Sequence, residues 1–334
     1  MRIDAAAAAI LHARLPPSMR LPTLSPAYVE ADAVRSPDIQ PIYWSYEEGD
    51  AFWYHGFHLM PLPEVAGFDI QSPYGYGGPL SNSTDPDFLE RAWAAYVDTA
   101  RSQGIAAEFI RFHPMAQNTR FYGGQIEEDR PTVWVDLTVR DMLGSYQTRT
   151  RTAVRKAQKA GIRFHWAESQ EIVGRFANFY REGMAAISAS QFYFFDDLYF
   201  TSIASMPGAR LAVCSRDDEW LAAALFLHDG TCVEYHLAAS SEAGKRLSAT
   251  NLLLHEVALC SQREGFLRLY LGGGTDQRPD NRLLFFKSGF SPLRAPFSVG
   301  TFLHDPALYD ELRQRWADLY ARSPDKVMFY RSWN

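Results

Sequence analysis

Lys287 closes the run Phe285-Phe286-Lys287, shortly after the triplet Gly272-Gly273-Gly274. A cation held near a glycine-rich turn suits two kinds of chemistry. It can stabilise the oxyanion that forms when an amine attacks an ester or thioester, or it can clamp a donor phosphate. The glycines would let backbone N–H groups approach a ligand with no Cβ in the way. A surface lysine at a helix end is the competing explanation. The attacking amine must also lose a proton, and Glu234 and His236 stand on one face of a strand where either could take it. Tyr235 faces the other way as a substrate contact, and Asp276, just past the glycines, is a further base candidate. A core histidine and a strand-edge glutamate would account for the same residues.

Charge is concentrated between Arg149 and Arg163, where six cations occur with no acidic residue. Arg151, Arg155 and Lys159 recur every four residues, which aligns them on one helix stripe where like charges repel. A nucleotide pyrophosphate or a tRNA backbone would relieve that repulsion, whereas a solvated helix face explains the spacing alone. Tyr74, Tyr76 and Gly77 lie in a glycine-rich loop able to position an acceptor or cradle its phosphate, or to serve only as a turn with half-buried aromatics. His113 ends a strand and can line a cleft, and the aromatics Phe192 to Phe195 suit either an apolar acceptor wall or core packing.

The elements that must position these groups are legible from pattern. Val233 to Leu237 is rich in strand formers, Asn251 to Glu264 has apolar residues at helical spacing, Gly265 stops that helix, and Leu267 to Leu271 reads as a buried strand. Asp229-Gly230 marks a hairpin, and with His228 opposite Thr231 the register would set Tyr235 against Ala224 and His236 against Ala223. Further upstream, strands are expected at 41–46, 51–60, 68–72, 107–112, 133–137, 162–166, 210–215 and 220–228. Helices are expected at 87–103, 142–160, 169–187 and 196–204, the first with Asp85 as cap and Pro86 at its first position. The same order of strands, helix and strand occurs twice. Two α/β domains follow from this, residues 1–140 and 141–334, the second ending in a C-terminal helix.

At 334 residues and 47% hydrophobic content the chain can bury two cores. A net charge of −6 gives no global basis for DNA binding. Cys214, Cys232 and Cys260 lack metal-ligand spacing and read as reduced thiols of a cytoplasmic protein. Ala5 to Ile10 is apolar without a basic leader, and no apolar run reaches the length of a membrane span. No motif points to a metal or a tightly bound cofactor.

Taken in order, Tyr74-Gly75-Tyr76-Gly77-Gly78-Pro79, Arg111-Phe112-His113-Pro114 with Asn118, the stretch Arg155 to Gly161, and Leu271-Gly272-Gly273 leading to Phe286-Lys287 resemble the Fem-type peptidoglycan bridge transferases and the wider FemABX-like acyltransferases. The resemblance implies an α/β fold of two tandem GNAT-like domains, each a mixed, largely antiparallel sheet flanked by helices. It also implies an amide-forming transfer, with aminoacyl-tRNA as donor in the better-known members and acyl-CoA in many relatives. The chain is shorter than typical bridge-forming enzymes and lacks a long charged coiled-coil insertion, so a small-molecule or peptide amine is as fitting an acceptor as a cell-wall precursor. Transfer from aminoacyl-tRNA is the leading expectation. An acyl-CoA N-acyltransferase stands second, because Ser240 to Thr250 offers only Gly244, Lys245 and Arg246 where a GNAT pyrophosphate loop is expected. A non-catalytic protein that binds a nucleotide-linked ligand stands third.

Overall fold

The computed structural model describes residues 1–278, 280–320 and 327–331. The chain divides into two compact units, the first made of Met1–Met19, Thr23–Asp129 and Phe297–Asn334, the second of Arg20–Pro22 and Arg130–Pro296. The division therefore falls at Asp129/Arg130, before the expected boundary near residue 140. The C-terminal helix expected in the second domain lies in the first.

In unit 1 the strands are β1 (Arg2–Ile3), β2 (Gln40–Glu48), β3 (Ala51–Pro61), β4 (Phe68–Gln71), β5 (Leu80–Ser81) and β6 (Ile105–Arg111). β2, β3 and β4 form an antiparallel meander, β5 pairs with β3, and β6 joins β4 in parallel. A parallel neighbour needs a crossover, here α3 (Pro86–Ser102), capped by Asp85 and ended by Gly104 at φ +69°. Helices α1 (Ala5–Arg14) and α2 (Pro26–Ala33) precede the sheet. Ser25 caps α2 by accepting from the Tyr28 N–H, and Pro26 fills the first helical position.

Unit 2 repeats the plan. Helices α4 (Met142–Ser145), α5 (Thr148–Lys159), α6 (Ala177–Ala186), α7 (Asp197–Ala204), α8 (Glu242–Leu247), α9 (Ala249–Arg263) and α10 (Arg282–Ser288) flank β7 (Gln125–Asp136), β8 (Arg163–Ala167), β9 (Ala209–Arg216), β10 (Glu219–Asp229), β11 (Cys232–Ser240) and β12 (Arg268–Gly273). The sheet order is β7-β12-β11-β10-β9-β8, antiparallel throughout except for β11 with β12. The crossover is α9, whose Leu253, Leu254 and Val257 are buried in the core.

Three expectations change. The helix expected over 142–160 is broken at Tyr146, which turns extended so that its buried ring packs on His255 and Phe290, at centroid distances of 5.6 and 5.2 Å. The helix expected from 169 opens with a π turn, Ile172–Phe176. The hairpin register also moves. Asp229 pairs with Cys232, leaving Gly230 and Thr231 as the turn, and a bulge at His236 sets Tyr235 against Phe226 and Leu237 against Leu225. The Tyr235 and Phe226 rings lie 5.4 Å apart, so large meets large and the expected gap beside alanine is absent.

After unit 2 the chain returns to unit 1. Val299 to Leu303 of β13 (Arg294–Leu303) pair antiparallel with Arg111 to Ala107 of β6, and α11 (Pro306–Tyr320) packs over the same strand. Two buried carboxylates receive this segment. His304 lies 3.2 Å from Glu108, which also accepts from the Tyr96 hydroxyl. Arg331 donates to Asp69 at 2.6 Å. Burial pushes the Glu108 carboxyl up, yet His304, His55 and Tyr96 outweigh it and hold the group below its ordinary value.

Candidate functional site

Strands β11 and β12 pair only from Cys232/Arg268 to Glu234/Tyr270. Beyond this β11 stays with β10 as far as Ser240, while β12 follows β7 through Gly272 and Gly273. The two strands thus part company at Tyr235 and Leu271. Lys287 reaches this fork from α10, its Nζ donating to the Gly273 carbonyl at 2.8 Å and lying 6.0 Å from the Tyr235 ring centroid. It is only 7% exposed, and burial pushes its pKa down to about 7.

The turn is built for this reach. Gly272 takes φ +78°, a conformation that a Cβ would strain. Asn281 occupies the space a side chain at Gly274 would need, and it caps α10 by accepting from the Leu284 N–H at 3.0 Å. The side of Gly274 that lacks a Cβ is thus taken by the protein's own Asn281. Asp276 lies in the same turn, bound to Arg278 at 2.7 Å and to Asn281 at 3.0 Å. Arg278 and Asn281 hold its carboxyl far below the usual range, which makes it a poor proton acceptor.

Glu234 and His236 are both close to the fork, but the bulge interrupts the two-residue alternation, so a shared face no longer follows from spacing. Glu234 is buried, and His236 Nε2 lies 2.9 Å from the Tyr199 hydroxyl. Tyr199 in turn stacks on Phe195 at 4.2 Å, which places that member of the aromatic run in the core.

The basic stripe on α5 divides. Arg151 folds back onto the Tyr146 carbonyl at 2.5 Å and the Thr148 hydroxyl at 2.9 Å, closing the break between α4 and α5. Arg155 and Lys159 are exposed, and among the described residues neither has a hydrogen bond or ion pair. Lys156 donates to the Arg246 carbonyl at 2.6 Å, near the end of α8. That helix fills much of the segment where a pyrophosphate loop would lie. The N–H groups of Gly244, Lys245 and Ser248 go to Ser241 Oγ, Ser241 O and Lys245 O. Gly244 sits so close to the Leu221 carbonyl that a Cβ would collide with it. Gly244→Ala is expected to lose about 3 kcal/mol in urea denaturation, and a variant of wild-type stability would show that α8 can shift off β10.

In unit 1 the loop residues named above interlock. The Tyr74 N–H donates to Asp32 Oδ2 at 2.7 Å, and the Gly77 N–H to the Arg111 carbonyl at 2.7 Å. Tyr28 donates to the Tyr74 carbonyl at 2.6 Å, Asn118 to the Gly77 carbonyl at 2.9 Å, and Arg111 to the Pro73 carbonyl at 2.8 Å. The N–H groups of Tyr74 and Gly77 are thus engaged within the protein. The half-buried Tyr76 ring packs 4.6 Å from that of His113, which is itself buried and accepts from the Met115 N–H. Asp32, Tyr28 and Tyr199 were not signalled by sequence. Only the Ser25-Pro26 cap, which announces α2, could have pointed to the first two.

Residues 144–287 match the model of the acetyltransferase (GNAT) domain, a segment that begins in α4 and ends on Lys287. No curated protein sequence matches the chain. Among solved structures it is similar to FemX, at 13% identity over 96% of this chain and 99% of that one, with a TM-score of 0.69. It is also similar to the C-terminal domain of a putative lysylphosphatidylglycerol synthetase from Agrobacterium fabrum, at 16% identity over 91% and 94% with a TM-score of 0.60. L-PGS from Bacillus licheniformis follows at 14% identity over 87% and 91%, with a TM-score of 0.54. Among the described residues no helix is long and apolar enough to cross a membrane. Residues 144–287 thus match an acetyltransferase (GNAT) domain, and the chain as a whole has the Fem-type fold of two GNAT-like units.

Proposed function

We propose that the protein transfers an aminoacyl group from aminoacyl-tRNA to an amine of a small-molecule or peptide acceptor. The observation that carries this reading is the buried Lys287 at the fork of β11 and β12, together with exposed, unpaired cations on α5 in the same unit. The acceptor nitrogen attacks the ester carbonyl carbon, forming the C–N bond and moving the carbonyl electrons onto oxygen. The Lys287 ammonium donates to that oxyanion. His236 or Glu234 takes the proton from nitrogen, the carbonyl re-forms, and the ribose oxygen leaves and is protonated. With a pKa of about 7, Lys287 can supply that last proton near neutrality. The donor is a substrate, so the step needs no tightly bound cofactor. The name of one structural neighbour, a lysylphosphatidylglycerol synthetase, specifies an aminoacylated product and is in keeping with this donor.

A second reading takes acyl-CoA as donor, favoured by the match to an acetyltransferase domain model. The engaged N–H groups of Gly244, Lys245 and Ser248 count against it, since a pyrophosphate needs such groups free. Binding of charged tRNA measured across a salt series separates the two. Wild type should lose affinity steeply with salt, and Arg155→Ala with Lys159→Ala should lower the slope of log K against log salt by about 1.5. An unchanged slope, or saturable binding of acetyl-CoA alone, would transfer the assignment to the CoA reading.

A further inference from the structure

Phe285 and Arg149 form a stacked pair, its ring exposed and its arginine half-buried, that the acyl-transfer step leaves without a role. Phe285 is 65% exposed on α10, although Leu284 and Phe286 on either side pack into the core, so its exposure is not that of a loose helix. The Arg149 guanidinium carbon lies 3.3 Å above the ring centroid. That guanidinium is pinned, donating to the Phe285 carbonyl at 2.5 Å and to Gln147 Oε1 at 2.9 Å, while the Gln147 N–H bonds the Gly289 carbonyl at the end of α10. Leaving a phenyl group in water forfeits burial free energy, and a cation on its face makes it a better stacking partner for a planar ring. From Arg149 the same helix carries the unpaired Arg155 and Lys159 along about 15 Å of axis, and Arg163 follows with no acidic residue between.

An aromatic face beside a track of free cations is how single-stranded nucleic acid is held, its bases stacking while its phosphates follow the charges. We infer that the Phe285–Arg149 pair is a stacking platform for a base of the single-stranded 3′ end of the donor tRNA. This inference rests on the tRNA reading of the donor. An isolated CoA also offers an adenine, but its phosphates cluster about one nucleotide and would leave most of the α5 track empty.

The test uses the full chain and a fluorescein-labelled single-stranded RNA of about ten nucleotides ending in CCA. A second RNA has the terminal nucleotides abasic. Phe285→Ala should weaken binding of the first about tenfold without changing its salt slope. Phe285→Trp should restore it, and the abasic RNA should bind Phe285→Ala and wild type alike. Since the ring is exposed, unchanged circular dichroism and melting of the variant verify that folding is intact. Phe285→Ala binding as tightly as wild type, or losing equally on abasic RNA, overturns the platform alone. Wild type that binds neither RNA overturns the tRNA donor as well, a failure visible before any variant is measured.

Discussion

Lys287→Met should slow product formation by roughly 10²–10³-fold and at the same time make the protein more stable below neutral pH. The two effects share one cause. Burial lowers the Lys287 pKa from 10.5 to about 7, so the folded protein releases a proton that the unfolded chain keeps. Where the unfolded state binds more protons, stability rises with pH. The wild type therefore carries its full desolvation cost below pH 7 and sheds it between about pH 7 and 10.5. Methionine has no such cost, and the lost hydrogen bond to the Gly273 carbonyl offsets the gain only in part. A stability advantage of about 3 kcal/mol for the variant at pH 6, fading by pH 10, is the expected outcome of urea titrations at the two pH values. Undiminished turnover would remove Lys287 from the reacting atoms. Equal stability at pH 6 would mean that water reaches its ammonium.

The second large effect concerns the returning C-terminal segment. A chain ending at Pro296 keeps every strand of unit 2 but strips β6 of β13, Glu108 of His304 and Asp69 of Arg331. Both carboxylates have fully buried side chains, and removing one partner of a buried pair costs about 3–5 kcal/mol. Two such losses together with an open sheet edge exceed what a domain of this size can spare. Limited proteolysis of the shortened chain should digest unit 1 and leave a resistant fragment close to Arg130–Pro296. Survival of a resistant fragment covering β2 to β6 would show that the returning strand is dispensable.

The features readable from sequence were those fixed by local chemistry. Gly104, Gly161 and Gly265 end their helices at positive φ, and strand–helix–strand order alone brings Lys287 to the glycine turn. What sequence did not disclose is set by distant partners. The bulge that moves Tyr235 onto Phe226 inserts one residue, His236, that no turn rule counts. Arg151 has the same spacing as Arg155 and Lys159, yet the break at Tyr146 offers it a carbonyl and takes it out of the stripe. The Tyr74 and Gly77 N–H groups look free until Asp32 and Arg111 are placed beside them. β13, with Pro296 and Gly300 inside it, has a weak strand signature and is stabilised by a neighbour that precedes it by most of the chain.

That late strand also sets the order in which the protein can mature during synthesis. Most of unit 1 is made first, but its sheet lacks an edge until residues beyond Phe297 have emerged. Unit 2 has every strand by then. At ordinary elongation rates the interval from Arg111 to Leu303 lasts roughly 10–40 s, and throughout it β6 presents an unpaired edge. The unit encoded second is thus the one that can finish folding first, and the nascent chain depends on whatever shields that edge in the meantime.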